Sequence, residues 1–267
     1  MNLQDLFGLD GRVALVTGGS RGIGAMIVEG FLAAGCARVY ISARKAAQVE
    51  AAVADFDTRY PGKVIGLPFD LSTVEGCRAL AAEIQDREER LDILVNNAGA
   101  AWGEPFEGFP ESGWDKVMDI NVKSPFFLTQ ALHSLLKTSA TDDRPAKVIN
   151  IGSIDGMRLN PWETYSYHAS KAAILYLTKR MAARLVQDHI IVSAIAPGAF
   201  QSDMNKAARD HGDAVAKSIP VKRIGIPEDM AGAAVFLASK AGDYVVGDAI
   251  TVDGGLVHGD LKTSIDA

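Results

Sequence analysis

Seven short apolar runs alternate with longer segments of helical periodicity along this chain of 267 residues. Strands that alternate with helices are typical of βαβ units, in which parallel strands form a sheet covered by helices on both faces. We therefore predict an α/β fold with a doubly wound, parallel, seven-stranded sheet. The predicted strands are Arg12–Thr17, Arg38–Ser42, Val64–Phe69, Leu91–Val95, Lys147–Ile151, Ile190–Ile195 and Ala249–Val252.

The spacing of the remaining segments bears on domain organisation. No linker, repeat or low-complexity tract divides the chain, so we predict a single domain over residues 1–267. The polar stretch Lys137–Lys147 is typical of a surface loop. The segment Ala199–Pro220 is longer than most connections, so we predict a substrate lid at about residues 199–220. The predicted helices include Met26–Ala34, Thr73–Ile84 and Trp114–Leu136.

The composition argues against several classes of partner. The net charge is −6, and no cluster of Lys and Arg resembles a nucleic-acid footprint, so we predict no nucleic-acid partner. No stretch reaches the roughly 18 apolar residues of a membrane helix, and no basic residue precedes an apolar run at the start, so we expect a cytoplasmic protein. Cys36 and Cys77 have no His or Cys partner at metal-binding spacing, so we expect reduced thiols and no metal site.

A glycine-rich turn follows the first predicted strand directly. The residues Thr17-Gly18-Gly19-Ser20-Arg21-Gly22-Ile23-Gly24 join that strand to a helix. At such a junction, backbone N–H groups and the positive end of a helix can hold a phosphate. The alternative is a tight turn that uses glycine only for its conformational freedom. Three spaced glycines at this junction favour a nucleotide, with Gly18, Ser20, Arg21, Gly22, Ile23 and Gly24 as candidate contacts.

The end of the second predicted strand bears on which nucleotide binds. A carboxylate there would accept hydrogen bonds from the adenosine ribose, but the chain reads Ile41-Ser42-Ala43-Arg44-Lys45. Arg44, Lys45 and Arg21 can instead contact a 2′-phosphate, because a guanidinium matches the geometry of a phosphate group. We therefore predict NADP(H) as the cofactor. The alternative is that Arg44 only begins a solvated helix.

Tyr167 and Lys171 lie four residues apart in a segment, Tyr167–Leu185, whose composition predicts a helix. Both side chains therefore leave the same face of that helix. An ammonium beside a phenol favours the phenolate, so we expect the pKa of Tyr167 to lie about 1–3 pH units below its usual value of about 10. Such a pair suits general acid/base catalysis, whereas the alternative is a surface pair on an amphipathic helix.

Candidate ligand-binding residues follow six of the predicted strands. Open α/β sheets bind ligands at the carboxyl edge, so residues that follow different strands meet in one crevice. For Asp70 a helix cap is an equally good interpretation, and Asn97-Ala98-Gly99 can also be a simple turn. The residues at or just beyond the strand ends are Gly18, Arg44, Asp70, Asn97, Ser153 and Pro197.

Six motifs occur in an order and at intervals that a known family shares. They are Thr17–Gly24, Asn96-Asn97-Ala98-Gly99, Asn121, Ser153, Tyr167-x-x-x-Lys171 and Pro197-Gly198. On these motifs the chain resembles the short-chain dehydrogenases/reductases over nearly its full length. Within that family it looks most like the NADPH-dependent 3-oxoacyl (β-ketoacyl) reductases of the rhamnolipid-pathway type.

The resemblance implies a Rossmann sheet of order 3-2-1-4-5-6-7 and an oxidoreductase that uses NADPH to reduce a carbonyl, either a 3-oxoacyl thioester or a related hydrophobic ketone. It implies that Tyr167 donates the proton, that Lys171 holds the phenol and the nicotinamide ribose, and that Ser153 binds the substrate oxygen. Asn121 would anchor a water. The further cofactor contacts that it implies are Asp70, Leu71, Asn97, Ala98, Gly99, Pro197, Gly198 and Ser202.

The chain departs from the family pattern at two positions, and two alternative functions remain. Helix ends that present arginines to an acidic carrier protein in bacterial fatty-acid reductases carry Ala140 and Asp188 here, which makes a carrier-protein partner doubtful. A sugar, polyol or steroid dehydrogenase is an alternative within the family, and a non-catalytic NADP-binding scaffold or sensor is an alternative outside it. The residues expected around the mouth favour an aliphatic substrate, since most are apolar: Trp102, Phe106, Met157, Leu159, Trp162, Phe200 and Met204.

The resemblance also implies a homotetramer. We expect the helix from Trp114 and the helix that carries Tyr167 to pair across a two-fold axis. The second of these helices offers more apolar surface than one buried stripe requires, and symmetric dimers of dimers are a common way to cover such surface. The apolar residues in question are Ile174, Leu175, Leu177 and Met181.

Overall fold

All seven strands lie parallel in one sheet, which confirms the predicted fold class. The computed structural model describes residues 1–202 and 205–259. Its strands are β1 (Val13–Thr17), β2 (Arg38–Ala43), β3 (Val64–Pro68), β4 (Ile93–Asn96), β5 (Ala146–Ile151), β6 (Ile190–Pro197) and β7 (Ala249–Val252). They are hydrogen-bonded in the order 3-2-1-4-5-6-7, as the resemblance implied.

The helices cover both faces of the sheet. They are α1 (Leu3–Phe7), α2 (Gly22–Ala33), α3 (Ala46–Asp57), α4 (Val74–Arg87), α5 (Glu111–Met118), α6 (Ser124–Ala131), α7 (His133–Ser139), α8 (Tyr165–Leu185), α9 (Lys206–Asp210), α10 (Gly212–Ser218) and α11 (Pro227–Ala238). Within the described residues, none of them is both long and apolar enough to cross a bilayer.

Two hydrophobic cores flank the sheet, one on each face. On one face α2 and α11 pack closely, because Gly30 has no side chain; a Cβ there would lie 2.8 Å from the Cβ of Ala231. On the other face α4, α6 and α8 cover the strands. The central strands β1, β4, β5 and β6 are buried along their whole length. Such burial is typical of parallel strands that have helices on both sides.

The single helix predicted for Trp114–Leu136 is wrong, because this stretch contains three helices and a π-helical turn. The turn spans Asp119–Lys123, between α5 and α6. Pro125 lies in the first turn of α6 and has no N–H to donate to the carbonyl of Asn121 four residues earlier. The α-helical ladder is therefore interrupted where Asn121 enters the interior. Such π-helical turns are frequent at functional sites.

The stretch Lys137–Lys147 is only partly the surface loop that the sequence predicted. Helix α7 extends to Ser139, and strand β5 already begins at Ala146. Lys147 is 1% exposed, and its Nζ donates to Asp243 Oδ1 at 2.6 Å. Burial lowers the pKa of Lys147, and the hydrogen bond to Asp243 opposes that change. A charged side chain in a central strand is thus tolerated because it has an acidic partner.

Asp243→Ala is expected to lower the free energy of unfolding by about 3 kcal/mol, because it leaves the buried ammonium of Lys147 without a partner. Denaturant unfolding of both proteins at neutral pH measures this loss. The control is Glu83→Ala, which breaks an exposed pair with Arg87 on α4 and should cost less than about 1 kcal/mol. Equal effects of the two substitutions would contradict the assignment of Lys147–Asp243 as a buried pair.

Candidate active site

Ser153 and Tyr167 meet at the carboxyl edge of the sheet. Ser153 lies just beyond β5, is 6% exposed, and its Oγ accepts from the backbone N–H of Asp155 at 3.1 Å. Tyr167 lies in the first turn of α8. The Ser153 hydroxyl lies near enough to the phenol of Tyr167 to lower the pKa of that phenol. The connection between them, residues 154–166, therefore returns the chain to the same edge of the sheet.

Lys171 lies one turn after Tyr167 and is buried beneath it. Its Nζ donates to the carbonyl of Ile151 at 2.8 Å and lies 5.5 Å from the centroid of the Tyr167 ring. Burial lowers the pKa of Lys171 to about 8, and the Asp155 carboxylate opposes this change. The predicted pairing of the phenol with the ammonium on one helix face is thus present, with the ammonium over the ring.

The pKa of Tyr167 does not change in the predicted direction. Burial raises it to about 12; the hydrogen bond from Ser153 lowers it, and the Asp155 carboxylate raises it further. The expectation of a lowered pKa is wrong for this structure, since the ammonium of Lys171 lies over the ring and donates to Ile151. At neutral pH the phenol is therefore protonated. A protonated phenol is the form that can give a proton to a substrate.

Asn121 links the loop after β4 to the catalytic helix. It is 3% exposed, and its side chain bonds both backbone groups of Ala100: Oδ1 accepts from the N–H and Nδ2 donates to the carbonyl, each at 2.9 Å. Nδ2 also donates to Ser170 Oγ at 2.9 Å, and Ser170 Oγ donates to the carbonyl of Tyr167 at 2.8 Å. The water-anchoring role that the resemblance implied stays a prediction.

A buried polar network fixes α8 on the sheet. Asn96 Nδ2 donates to Asn150 Oδ1 at 2.9 Å, and Asn150 Nδ2 donates to Thr178 Oγ1 at 2.9 Å. The three side chains are at most 5% exposed. A fully bonded network of this kind allows few relative positions of strand and helix, because any shift leaves a buried polar group unpaired. It therefore holds Lys171 opposite the end of β5.

The glycine-rich turn requires glycine at two positions. Gly18 has φ +66°, in the left-handed region, and a Cβ there would lie 2.8 Å from Asn97 Nδ2. A Cβ on Gly24 would lie 2.2 Å from the carbonyl oxygen of Gly18. The backbone geometry of the turn therefore requires these glycines, as the alternative interpretation proposed. It is compatible with phosphate binding, since the same turn leads into the amino terminus of α2.

Thr17, which the sequence analysis did not single out, holds this turn to the loop after β4. Its Oγ1 accepts from the backbone N–H groups of Asn97 and Ala98, both at 2.9 Å. Asn97 Nδ2 in turn donates to the carbonyls of Thr17 and Gly18, at 2.8 and 3.2 Å. The sequence feature that could have predicted this role is a threonine at the last position of a buried strand. Gly99 continues this loop and faces Asn121.

The residues predicted to contact adenosine lie beyond β2 and β3. Arg44 is exposed and lies directly before Lys45, the N-cap of α3, so a phosphate contact and a solvated residue at a helix start both remain open interpretations of it. Asp70 is also exposed, and its Oδ1 accepts from the N–H of Ser72 at 3.0 Å. The cap of α4 is Thr73 instead, so Asp70 does not cap that helix.

Residues beyond β6 complete the predicted cofactor edge. Pro197 ends β6, and the N–H of Gly198 donates to the carbonyl of Val252 at 2.9 Å. Ser202 lies against the glycine-rich turn: a Cβ added to Gly22 would be 3.3 Å from its Cβ. Leu71 is 3% exposed, whereas Ser20, Arg21 and Ile23 are accessible at the start of α2. Met204, predicted to line the mouth, lies outside the described residues.

A cavity of about 200 Å³ separates the glycine-rich turn from the segment after β6. Arg21 and Gly22 line one side, and Gln201, Ser202 and Arg209 line the other. The Arg209 guanidinium is paired with both carboxylate oxygens of Asp210, at 2.7 and 3.0 Å, so the features here that favour an anion are the Arg21 side chain, the glycine backbone and the amino terminus of α2. The site therefore fits the pyrophosphate or another phosphate of a dinucleotide. Arg209 was not predicted, because nothing in its sequence context places it near Arg21.

The fold and this site define a dinucleotide-binding α/β oxidoreductase. Residues 18–257 match the family model described as enoyl-(acyl carrier protein) reductase. The chain is 48% identical to the rhamnolipids biosynthesis 3-oxoacyl-[acyl-carrier-protein] reductase of Pseudomonas aeruginosa, over 95% of this chain and 99% of that protein. It is 36% identical to the 2-dehydro-3-deoxy-D-gluconate 5-dehydrogenase of Dickeya dadantii, over 95% of this chain and 98% of that protein. The chain belongs to the short-chain dehydrogenase/reductase family.

Solved structures agree with this assignment. The Pseudomonas aeruginosa RhlG/NADP active-site complex has a TM-score of 0.90 and 46% identity, and the match covers 96% of this chain and all (100%) of that one. A gluconate 5-dehydrogenase from Burkholderia cenocepacia, in complex with NADP and tartrate, has a TM-score of 0.85 and 34% identity over 96% of this chain and 98% of that one. Both of these similar structures contain NADP.

Proposed function

We propose that this chain uses NADPH to reduce the carbonyl of a hydrophobic substrate, namely a 3-oxoacyl thioester or a closely related ketone. The observation that carries the proposal is the position of Tyr167 beside Ser153 and one turn before the buried Lys171, whose Nζ lies 5.5 Å from the centroid of the Tyr167 ring. The name of the Pseudomonas aeruginosa relative, a 3-oxoacyl reductase, supports the substrate class.

In this proposal two hydroxyl donors act on the substrate oxygen. Ser153 and Tyr167 each donate a hydrogen bond to the carbonyl oxygen, on which negative charge develops, and Tyr167 gives up its proton there. When bound, the nicotinamide supplies the hydride. Lys171 stabilises the phenolate that remains and binds the nicotinamide ribose. Asn121 keeps the Ala100 loop and α8 in register, and its predicted water belongs to this proposal.

The cofactor contacts are proposed on the geometry described above. Arg44 and Arg21 bind the 2′-phosphate, because both guanidiniums are exposed beside the carboxyl ends of β1 and β2. Asp70 and Leu71 flank the adenine, and Ser202 closes over the nicotinamide end as part of a lid at about residues 199–220. The backbone contacts lie along the crevice: Gly18, Ser20, Gly22, Ile23, Gly24, Asn97, Ala98, Gly99, Pro197 and Gly198.

An NADPH-oxidation assay with four substrate groups tests the proposed function. These are 3-oxoacyl thioesters, hydrophobic cyclic ketones, keto sugar acids and trans-2-enoyl thioesters, the last because of the family description. We expect kcat/KM for the first group to exceed that for the last two by at least about tenfold, equivalent to about 1.4 kcal/mol. Faster reduction of a keto sugar acid or an enoyl thioester would overturn the proposal.

The carrier of the acyl group is a separate part of the proposal. The relative's name includes an acyl carrier protein, which opposes the expectation that such a partner is doubtful. The structure removes one reason for that expectation, since Asp188 accepts hydrogen bonds from Lys137, Arg184 and His133, which hold its carboxyl pKa well below the usual range. That surface is net positive. This surface lies roughly 25 Å from Tyr167 along α8, at a helical rise of 1.5 Å per residue. Because the surface is that far from the proposed catalytic group, we propose that the active site recognises the acyl group itself.

We also propose a cytoplasmic homotetramer. Two of the apolar residues of α8 that were expected at an interface, Ile174 and Met181, are buried within the chain. The expectation that they form part of an interface is therefore wrong. The unpaired apolar surface consists instead of Trp114 on α5, Phe126 on α6 and Tyr176 on α8, of which Tyr176 is 74% exposed. Helices α5 and α6 lie in the stretch from Trp114, which the resemblance pairs with the Tyr167 helix, α8, across a two-fold axis.

Sedimentation at micromolar concentration is expected to give four times the mass of the chain. Tyr176→Asp should shift the protein toward smaller species, because it places a charge on the proposed interface. Leu3→Asp, at an exposed apolar residue of α1, is the control and should leave the tetramer unchanged. A wild-type monomer, or the same shift with both variants, would count against this interface.

A further inference from the structure

Four large apolar side chains are exposed beside the proposed catalytic group. The exposed fractions are 71% for Phe106, 40% for Met157, 83% for Leu159 and 65% for Trp162. The last three lie on the connection between Ser153 and Tyr167. This connection packs against α8 at the proposed catalytic group, since a Cβ on Gly156 would lie 2.6 Å from the backbone carbonyl of Lys171. An exposed apolar cluster of this size at a site marks a surface that binds something apolar.

Phe106 joins this cluster because the loop after β4 is bonded to the same connection. The N–H of Glu104 donates to the carbonyl of Glu163 at 3.2 Å, and the N–H of Phe106 donates to Glu163 Oε1 at 3.4 Å. Tyr165 Oη donates to the same carboxylate oxygen at 2.7 Å, and its ring meets the Phe106 ring edge-on at 5.6 Å. Segments 100–113 and 154–166 therefore form one rim, which we call the entrance rim.

The entrance rim is strongly acidic. It contains five carboxylates against one guanidinium, a net charge of −4. The single cation, Arg158, donates to the backbone carbonyl of Leu256 at 2.5 Å. The hydrogen bond to Glu163 and the nearby Glu107 raise the pKa of Tyr165, so both carboxylates act at this rim. The carboxylates are Glu104, Glu107, Glu111, Asp155 and Glu163.

We propose that the entrance rim selects the substrate by two features, its apolar side chains and its negative charge. Its apolar side chains bind the uncharged alkyl chain of the carbonyl compound, and its carboxylates repel anions such as keto sugar acids. The inference rests on the proposed function and deepens it. The carboxylates should therefore disfavour gluconate-type substrates, for which some relatives are named, since those substrates are anions at neutral pH. Full burial of one methylene corresponds to about a fourfold gain in binding, so partial burial predicts about threefold.

A chain-length series tests the apolar part. The substrates are N-acetylcysteamine thioesters of 3-oxobutanoate, 3-oxohexanoate and 3-oxodecanoate, which carry no net charge. With NADPH saturating, kcat/KM should rise about threefold per methylene in the wild type. Leu159→Asp combined with Trp162→Ser should lower the decanoyl-to-butanoyl ratio at least about tenfold. Leu3→Asp, an equally exposed position on α1, should keep the wild-type ratio.

Salt and charge variants test the acidic part. For 5-keto-D-gluconate, kcat/KM should rise when ionic strength increases from about 0.02 to 0.5 M, because screening removes repulsion, while the value for the butanoyl thioester stays constant. Glu104→Gln with Glu107→Gln should raise the keto-gluconate value about tenfold at low salt. Glu83→Gln, on α4, should not.

The outcomes separate the two claims. Failure to reduce any thioester overturns the proposed function. Reduction of all three thioesters with a flat chain-length profile overturns the alkyl-binding rim alone. Keto-gluconate kinetics that are independent of salt and of the two glutamate substitutions overturn the charge selection.

Discussion

Tyr167→Phe is expected to lower kcat by about 10³-fold while the Kd for NADPH changes less than about threefold. The substitution removes only the hydroxyl that gives the proton to the substrate, and general acid catalysis typically contributes 10²–10⁴-fold. The effect should appear in kcat and kcat/KM equally, because the lost interaction acts only as the carbonyl oxygen becomes charged. Steady-state kinetics and a fluorescence titration of NADPH measure the two quantities.

Tyr165→Phe is the matched control for this substitution. Tyr165 lies two residues earlier on the same helix, but its hydroxyl donates to Glu163, and the residue four positions later is Ala169 and not a lysine. We expect kcat within about threefold of the wild-type value. If Tyr167→Phe kept more than about a tenth of the activity, or if the two variants lost activity equally, Tyr167 would not be the proton donor.

The second large effect concerns the choice of cofactor. The wild-type chain should use NADPH with at least about tenfold higher kcat/KM than NADH, because the proposed contacts of Arg44 and Arg21 with the 2′-phosphate are charge-assisted and no carboxylate directly follows β2. Arg44→Asp should invert the preference, mainly through KM, since a carboxylate repels the phosphate and accepts from the ribose hydroxyls.

Arg44→Lys separates charge from geometry in this test. A lysine keeps the positive charge but loses the forked contact, so it should reduce the preference for NADPH without inverting it. Equal efficiency of wild type with both cofactors would contradict the assignment of the 2′-phosphate site. If Arg44→Asp kept the preference for NADPH, the 2′-phosphate would have to be bound by Arg21 or Lys45 instead of Arg44.

The sheet could be predicted from the sequence because parallel strands buried on both faces are nearly continuous apolar runs. The predicted and observed bounds of β7 are identical, and β6 differs only in that it extends to Pro197. Ser153, Tyr167 and Lys171 meet as expected, since each follows from a strand end or a helix face. The main error in the helices is the prediction of one continuous helix over Trp114–Leu136. The apolar periodicity of this stretch favours a single helix, whereas Pro125 within it cannot donate the hydrogen bond that a continuous helix requires.

Features that depend on tertiary environment could not be predicted in the same way. Whether Lys147 is exposed depends on Asp243, which lies 96 residues away in sequence. The pKa of Tyr167 depends on how deeply α8 buries the phenol, and burial outweighs the ammonium that its spacing suggested. Arg209 reaches the cavity beside Arg21 only because the segment after β6 returns over the glycine-rich turn.

Deuteride transfer tests the central claim most directly. The purified chain is incubated with 4-deuterated NADPH and the 3-oxodecanoyl thioester of N-acetylcysteamine, and the product is analysed by mass spectrometry. With deuterium at both C4 positions of the cofactor, we expect a 3-hydroxyacyl thioester with one deuterium at C3, formed in equal amount to the NADP⁺ released and about 10³-fold more slowly with Tyr167→Phe. Unreacted 3-oxoacyl thioester, together with reduction of a trans-2-enoyl thioester under the same conditions, would contradict it.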